Sequence, residues 1–370
     1  MKELFGERRF GFGCMRLPMK DGEVDLPLLC EMVDTFIGEG FTYFDTAHGY
    51  LKGKSETALR AALTSRYPRD SYLLTNKLST YHFERQEEIR PLFFEQLRAT
   101  GVDYFDFYLM HAQDRGLYEK FRAARAYETA LELKAEGGFR HFGISFHDGP
   151  ELLSRILTDY PEVEVVQLQY NYIDEGDPVV RAQECLAVAR EFGKPVIVME
   201  PVKGGGLAHK LPPEAQEVLA SLGDASAASY ALRFAAEAEG VAMVLSGMGD
   251  MAMLRDNLRH MKDPLPLTAA ERAAVARVVE ILRAAGTVPC TACEYCEAVC
   301  PQGIPIPKVF AALNSTTVFQ GWNARYYYSI QTKDGGRASS CIGCGACEGV
   351  CPQHLGIREL LKRAATALEG

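Results

Sequence analysis

Cys290, Cys293, Cys296 and Cys300, followed by Pro301, spell C-x2-C-x2-C-x3-C-P, and Cys341, Cys344, Cys347 and Cys351, followed by Pro352, spell it again. Nothing else in the chain restricts its folding as much. A run of this spacing wraps three soft thiolates around one iron–sulfur cube, while its fourth cysteine reaches the cluster of the other run. The spacing therefore predicts one [4Fe–4S] cluster on Cys290, Cys293, Cys296 and Cys351, and a second on Cys341, Cys344, Cys347 and Cys300. Zinc also favours paired cysteines, but its tetrahedral sites generally use two C-x2-C pairs rather than four-cysteine runs that end in Pro.

Ile306–Asn314, Asn323–Ile330 and Ile357–Leu368 read as helices between and after the runs. This part of the chain resembles a helical ferredoxin module rather than the compact bacterial form. It begins where the composition shifts, across Ala284–Pro289, after a helical segment Ala269–Leu282 and its terminating Gly286. At 370 residues the chain is longer than one hydrophobic core normally organises. The expected domains are a large one over residues 1–285 and a small, mainly helical ferredoxin-like one over residues 286–370. Cys14, Cys30 and Cys185 fall in elements of the large domain and read as core residues.

The net charge of −9 argues against a nucleic-acid partner, which would draw on clustered Lys and Arg. From Gly286 onward seven basic residues face six acidic ones, so the large domain carries the acidity. No stretch reaches the length of continuous apolar sequence that a membrane helix needs, and MKELFGERRF lacks the apolar core of a secretory signal. A cytoplasmic protein with reduced thiols is expected, and disulfides are disfavoured.

Through the large domain, strand-like apolar runs alternate with amphipathic helical segments. The strands read Phe10–Cys14, Phe41–Asp45, Ser71–Asn76, Tyr104–Met110, His141–Ser145, Val163–Gln169, Pro195–Met199 and Val241–Ser246. Helices include Leu26–Glu39, Glu56–Arg66, Glu84–Thr100, Tyr118–Glu136, Pro178–Phe192 and Ser226–Ala238. Eight such units predict an α/β fold, a (β/α)8 TIM barrel, which typically takes about 250 residues. An open doubly wound sheet is the runner-up, but no G-x-G-x-x-G follows the first strand.

Barrel chemistry sits where strands end at the C-terminal face. Asp45 ends the second strand, Tyr50 follows five residues on, Lys77 ends the third strand and His111 the fourth. Singly, each has an ordinary structural use as a cap, a packing residue or surface. Together they make a proton-donating group. A phenol near pKa 10 is a weak acid at neutral pH, and an adjacent ammonium such as Lys77 is expected to lower it by about 1–3 units. Asp45 would hold that ammonium charged, and His111 would direct a carbonyl oxygen and donate a second hydrogen bond.

Asp, Tyr, Lys and His in this order and at these strand positions resemble the tetrad of the aldo-keto reductases. Gly11-Phe12-Gly13-Cys14-Met15-Arg16 is similar to that family's opening strand, Phe44-Asp45-Thr46-Ala47 with Tyr50 and Glu56 to its second unit, and Tyr108-Leu109-Met110-His111 to its fourth. The resemblance implies that Ser145 and Gln167 hold the carboxamide of a nicotinamide, NADH or NADPH. It also implies that the segment with Gly247 and Asn257 binds the adenosine side. Three departures stand out. Where members often stack an aromatic ring on the nicotinamide after the seventh strand, this chain has Met199, whose sulfur can cover that face. Phe146 follows Ser145 where many members have asparagine, and near Met253 only Arg255 stands in for the arginine that reads a 2′-phosphate. The cysteine-rich tail matches a bacterial and archaeal branch that joins this barrel to a ferredoxin domain.

Gly204-Gly205-Gly206 lacks the pattern of a phosphate loop and reads equally as a flexible loop over the pyrophosphate or as a plain turn. Tyr81, His82, Phe83, Phe146, His147 and Trp322 are candidates to line a substrate pocket. The reading that follows is an NAD(P)H-dependent oxidoreductase acting on a small carbonyl substrate, an aldehyde, ketone or quinone. A redox protein is a candidate partner. Clusters pass single electrons whereas nicotinamide gives two, so electron transfer and a structural role are both open for them. The rival from another class is a nucleotide-binding redox sensor that docks a partner through its ferredoxin domain; a flavin enzyme on a similar barrel would need a flavin phosphate site that the sequence does not display.

Overall fold

In the computed structural model, which describes residues 2–79, 82–290, 292–319, 322–333 and 335–370, eight parallel strands close into a barrel. They are β1 (Phe10–Gly13), β2 (Tyr43–Asp45), β3 (Leu73–Leu78), β4 (Phe105–Gln113), β5 (Phe139–Phe146), β6 (Val165–Gln169), β7 (Val196–Met199) and β8 (Val241–Ser246). Each pairs with its chain neighbours, and β8 returns to β1. These are the eight strands read from the sequence, with ends moved by three residues or fewer.

Strands covered on both faces need apolar side chains throughout, and Val-Ile-Val-Met in β7 and Val-Ala-Met-Val-Leu in β8 supply them. Tyr43, Phe107, Leu109, Val165, Ile197, Met243 and Leu245 form one buried cluster with Phe5 of the N-terminal helix, whose ring stacks on Phe107 at 5.2 Å. Each such side chain contributes about 1.5–3 kcal/mol on burial. Close packing dictates Gly143 in β5: a Cβ there would lie 2.5 Å from both Leu109 and Val165 side chains.

The helices depart from expectation in instructive ways. The segment read as one helix over Tyr118–Glu136 is two, Arg115–Ala123 and Ala126–Ala135, because Arg125 takes a left-handed conformation with φ 51°. Apolar periodicity runs through such a break when both helices bury the same side. The helix expected from Glu56 begins at Lys54 and finishes in a π turn over Arg60–Thr64. Helices Pro150–Asp159 and Met251–Met261 complete the fifth and eighth βα units. Gly204 and Gly205 both adopt positive φ, and a short helix Gly206–His209 follows. Cys14 and Cys185 are buried and Cys30 is half-buried.

The chain separates into two compact units. The first comprises Met1–Glu175, Ala182–Pro201 and Ala231–Leu267, and holds the strands; the second comprises Gly176–Arg181, Val202–Tyr230 and Thr268–Gly370. Within the second, short helices Tyr295–Ala298 and Ala346–Gly349 each precede a long one, Ile306–Phe319 and Ile357–Glu369, and helix Trp322–Gln331 lies between them in sequence. Val309, Phe310, Leu313, Tyr328, Ile357 and Leu361 form its core, and Cys296 and Cys347 are buried in it. Among the described residues no helix is long and apolar enough to cross a membrane.

Candidate functional site

The first site is built from strand ends. Asp45 is the last residue of β2, and Lys77 lies one residue before the end of β3. Strand pairing sets Lys77 opposite Leu109, and His111 follows two residues further along β4. Lys77 Nζ donates to Asp45 Oδ1 at 2.6 Å, to the Thr46 carbonyl at 2.9 Å and to the Tyr50 hydroxyl at 3.2 Å. Its ammonium also lies 4.8 Å from the centre of the Tyr50 ring. The Tyr50 and His111 rings meet edge to face at 5.9 Å. All four tetrad residues therefore converge.

Lys77 is fully buried, and a buried ammonium survives only when compensated. Burial pulls its pKa down, but the charge of Asp45 and the Tyr50 oxygen outweigh that, so the net direction is upward. Tyr50 departs from expectation. Burial raises its phenol above the ordinary value of 10, and the opposing pull of Lys77 does not cancel it. Desolvation of a would-be phenolate outweighs one neighbouring cation that Asp45 already partly neutralises. The phenol is a protonated donor at neutral pH, and the expected lowering does not occur.

His111 is pushed well below 6.5, first by burial and then by Lys77 and two further imidazoles, His147 and His82. It stays neutral. Its Nδ1 is 2.7 Å from the Ser79 hydroxyl, which can donate to it and so leave the ring proton on Nε2. His147 is pushed down to about 4 by burial and by Lys77. His82 and His48 pack edge to face at 4.5 Å, and a hydrogen bond to Glu56 raises the pKa of His48.

Beneath the tetrad runs a polar network that sequence reading missed. Glu56 accepts from Asn76 Nδ2 and pairs with His48 Nδ1, both at 2.7 Å; Asn76 Oδ1 accepts from Gln96, whose carbonyl takes the Tyr108 hydroxyl at 2.6 Å. Gln96 Nε2 also binds the Lys77 carbonyl at 2.9 Å, so the network fixes the strand end that carries the lysine. The signal available was Asn76 and Gln96 standing at apolar positions of a buried strand and helix face. Arg16, quoted only as part of a motif, reaches Glu200 at 3.4 Å, and its charge is felt at Tyr50.

Backbone strain gathers at the same face. Leu51, Lys52 and Gly53, directly after Tyr50, all take positive φ, as do Ala112 after His111 and Glu200 after Met199. Such conformations cost on the order of 1 kcal/mol or more each for non-glycine residues and cluster at functional sites.

The candidate nicotinamide residues divide. Ser145 and Gln167 are register partners on β5 and β6. Gln167 Nε2 donates to Asp45 Oδ2 at 3.0 Å, which ties it to the tetrad, and Ser145 is buried. Met199 ends β7 and is half-buried. Asn257 is buried, and its amide donates to the Ser246 hydroxyl at 3.1 Å, which secures the end of β8 beside Gly247. Phe146 faces away from Ser145 by strand alternation and is buried, and Phe83 packs on Phe121 at 5.1 Å; both are core residues here. Arg255 is exposed, 4.0 Å from Glu31. Tyr81 and the Trp322 side chain lie outside the described residues.

The second site lies in the cysteine-rich unit. One cavity is lined by Cys290, Cys293, Cys296 and Cys351, and another by Cys300, Cys341, Cys344 and Cys347. Each therefore gathers three cysteines of one run and the fourth of the other. Four thiols spread around one cavity suit the ligand set of a polynuclear iron–sulfur cluster. Left-handed residues flank the second cysteine of each run, Ala292 and Glu294 in one, Gly343 and Gly345 in the other.

The chain matches the model of the 4Fe-4S dicluster domain over residues 289–355. It is 27% identical over 177 residues to an NAD/NADP-dependent indole-3-acetaldehyde reductase of Schizosaccharomyces pombe, covering 46% of this chain and 58% of that protein. It is 29% identical over 168 residues to an NAD(P)H-dependent D-xylose reductase of Pachysolen tannophilus, covering 45% and 44%. The matches thus span about half the length of these relatives. Among solved structures, an aldo-keto reductase of Bacillus halodurans in its holo form has a TM-score of 0.58 at 25% identity over 73% of this chain and 91% of that one. One from Klebsiella pneumoniae in complex with NADPH has 0.59 at 22%, over 73% and 90%. The aldo/keto reductase family model matches residues 9–280, most of the chain and every barrel strand, and the protein belongs to that family.

Proposed function

We propose that the protein is an NAD(P)H-dependent oxidoreductase that reduces an aldehyde, ketone or quinone with Tyr50 as general acid, and that it carries two [4Fe–4S] clusters. The observation that carries the catalytic reading is the 3.2 Å contact of the Tyr50 hydroxyl with a fully buried Lys77 that is itself bonded to Asp45. The reductases named among its relatives and the NADPH-bound structural neighbour support the choice of cofactor. Residues 1–285 would form the catalytic domain and residues 286–370 the cluster domain, working in the cytosol, where thiols stay reduced.

Bound dihydronicotinamide would supply a hydride from its para carbon to the carbonyl carbon. Tyr50 would give its proton to the carbonyl oxygen as negative charge builds there. Lys77 stabilises the phenolate left behind, Asp45 keeps Lys77 charged, and neutral His111 donates from Nε2 to the same oxygen. Ser145 would hold the carboxamide, with Gln167 beside it, and Met199 would cover the ring. Gly247 and Asn257 belong to the adenosine side.

The test is oxidation of NADH and NADPH by anaerobically purified protein against a panel of aldehydes, ketones and quinones. No turnover with any of them would remove the catalytic reading. The pH dependence is also specified. Reduction needs Tyr50 protonated, a form present below its pKa and lost above it, and that pKa is raised above 10. His111 is neutral well below 6.5. The rate of reduction, measured at saturating cofactor, should therefore show no inflection near pH 6.5 and should fall only above pH 10.

A further inference from the structure

The cysteine runs repeat after 51 residues, Cys290 matching Cys341 and Cys300 matching Cys351, and the surrounding structure repeats with them. Gly303 N bonds to the Cys300 carbonyl as His354 N bonds to that of Cys351, both at 3.1 Å, and Gly303 and His354 both take positive φ. Where two sites are this alike, the charges that differ between them set them apart. Two matched positions line both cavities and differ in charge. After the second cysteine, Glu294 lines the first cavity where Gly345 lines the second; in the following helix, Pro307 lines the first where Arg358 lines the second.

Arg358 is fixed. Its Nε and a terminal nitrogen bind Glu348 at 3.0 and 2.9 Å, and its guanidinium lies over Gly345, 3.8 Å from where a Cβ would stand. Glu297 matches Glu348, so a carboxylate beside the third cysteine is common to both sites. Lys308 and Glu359, opposite in sign at matched positions, line neither cavity, and Glu359 pairs with Lys362 at 2.7 Å.

We infer that Arg358 makes the cluster held by Cys300, Cys341, Cys344 and Cys347 the first to accept an electron, while Glu294 holds the other at a lower potential. The inference rests on the two-cluster reading. One electron adds one negative charge to a cluster and its thiolates; a fixed cation beside it stabilises that form, and a fixed anion opposes it.

The experiment uses the full chain, purified anaerobically and titrated with dithionite as electron donor under electron paramagnetic resonance. Iron and sulfide are measured first. About eight of each per chain are expected, and a markedly lower content after reconstitution would remove the two-cluster reading itself. With both clusters present, two midpoints are expected, the higher absent in Cys344→Ser and the lower absent in Cys293→Ser. Arg358→Gln should lower the higher midpoint by at least about 59 mV, a tenfold change in the reduced-to-oxidised ratio at fixed potential, and leave the lower one in place. Arg358→Lys should retain most of the difference, and Glu294→Gln should raise only the lower midpoint. Coincident wild-type midpoints, or an Arg358→Gln shift in the lower step or in neither, would overturn the inference. Should Arg358→Gln lose its cluster, Glu294→Gln decides, and an unmoved lower midpoint overturns it.

Discussion

Tyr50→Phe should abolish carbonyl reduction and leave nicotinamide binding nearly intact. The substitution removes one oxygen atom and one 3.2 Å hydrogen bond, while the ring keeps its edge contact with His111. The fold therefore has little reason to respond, and the loss reports on the proton. General acid catalysis supplies a factor of about 10²–10⁴, so turnover should fall by at least that much. Lys77→Met should also lose activity, because the phenolate that forms as the proton leaves would have no cation beside it. That variant strands the Asp45 carboxylate in a buried site, so its stability must be measured with its rate. Fluorescence titration with NADH and NADPH, run beside a rate assay on each substrate that the native protein reduces, separates binding from chemistry. Wild-type turnover in Tyr50→Phe on such a substrate would show that the reaction takes its proton elsewhere.

Much of the barrel was legible because its strands are buried on both faces. Val241–Ser246 came out with the same limits in sequence and structure, since six consecutive buried residues leave no ambiguity of face. Helix ends were harder. The break at Arg125 follows from backbone conformation, which an apolar period does not record, and the π turn after Leu59 shifts the register without changing which residues are apolar.

The tetrad was legible as strand-end chemistry, but its electrostatics were not. A sequence places Lys77 near Tyr50; it does not say that the phenol is buried deeply enough for desolvation to override the lysine. Nor does it reveal that Gln167 spends its amide on Asp45, or that Asn257 is engaged with Ser246. Those partners come from strands and helices far apart in the chain. Glu56, Asn76 and Gln96 illustrate the same limit from the other side. Each is a buried polar residue whose oddness is visible in sequence, yet only the fold shows that they form one network beneath Lys77.

Exchange of the fourth cysteines gives the other large effect: Cys300→Ser should destroy the cluster built on Cys341, Cys344 and Cys347, and spare the one built by the rest of its own run. The repeat explains why. Within each run the third cysteine, Cys296 or Cys347, sits in a short helix, Tyr295–Ala298 or Ala346–Gly349, that carries the chain on towards the fourth. Cys300 consequently lines the cavity of the second run, and Cys351 that of the first. Serine is nearly isosteric but offers a harder oxygen ligand, which iron–sulfur cubes hold poorly. Each single variant should keep about four of the eight irons expected for two cubes. The comparison that decides is spectroscopic: the paramagnetic resonance spectrum of reduced Cys300→Ser should match that of Cys344→Ser and differ from that of Cys293→Ser, with Cys351→Ser showing the reverse. A Cys300→Ser spectrum that matches Cys293→Ser would mean that each run holds its own cluster, and that the cavities do not report the ligation.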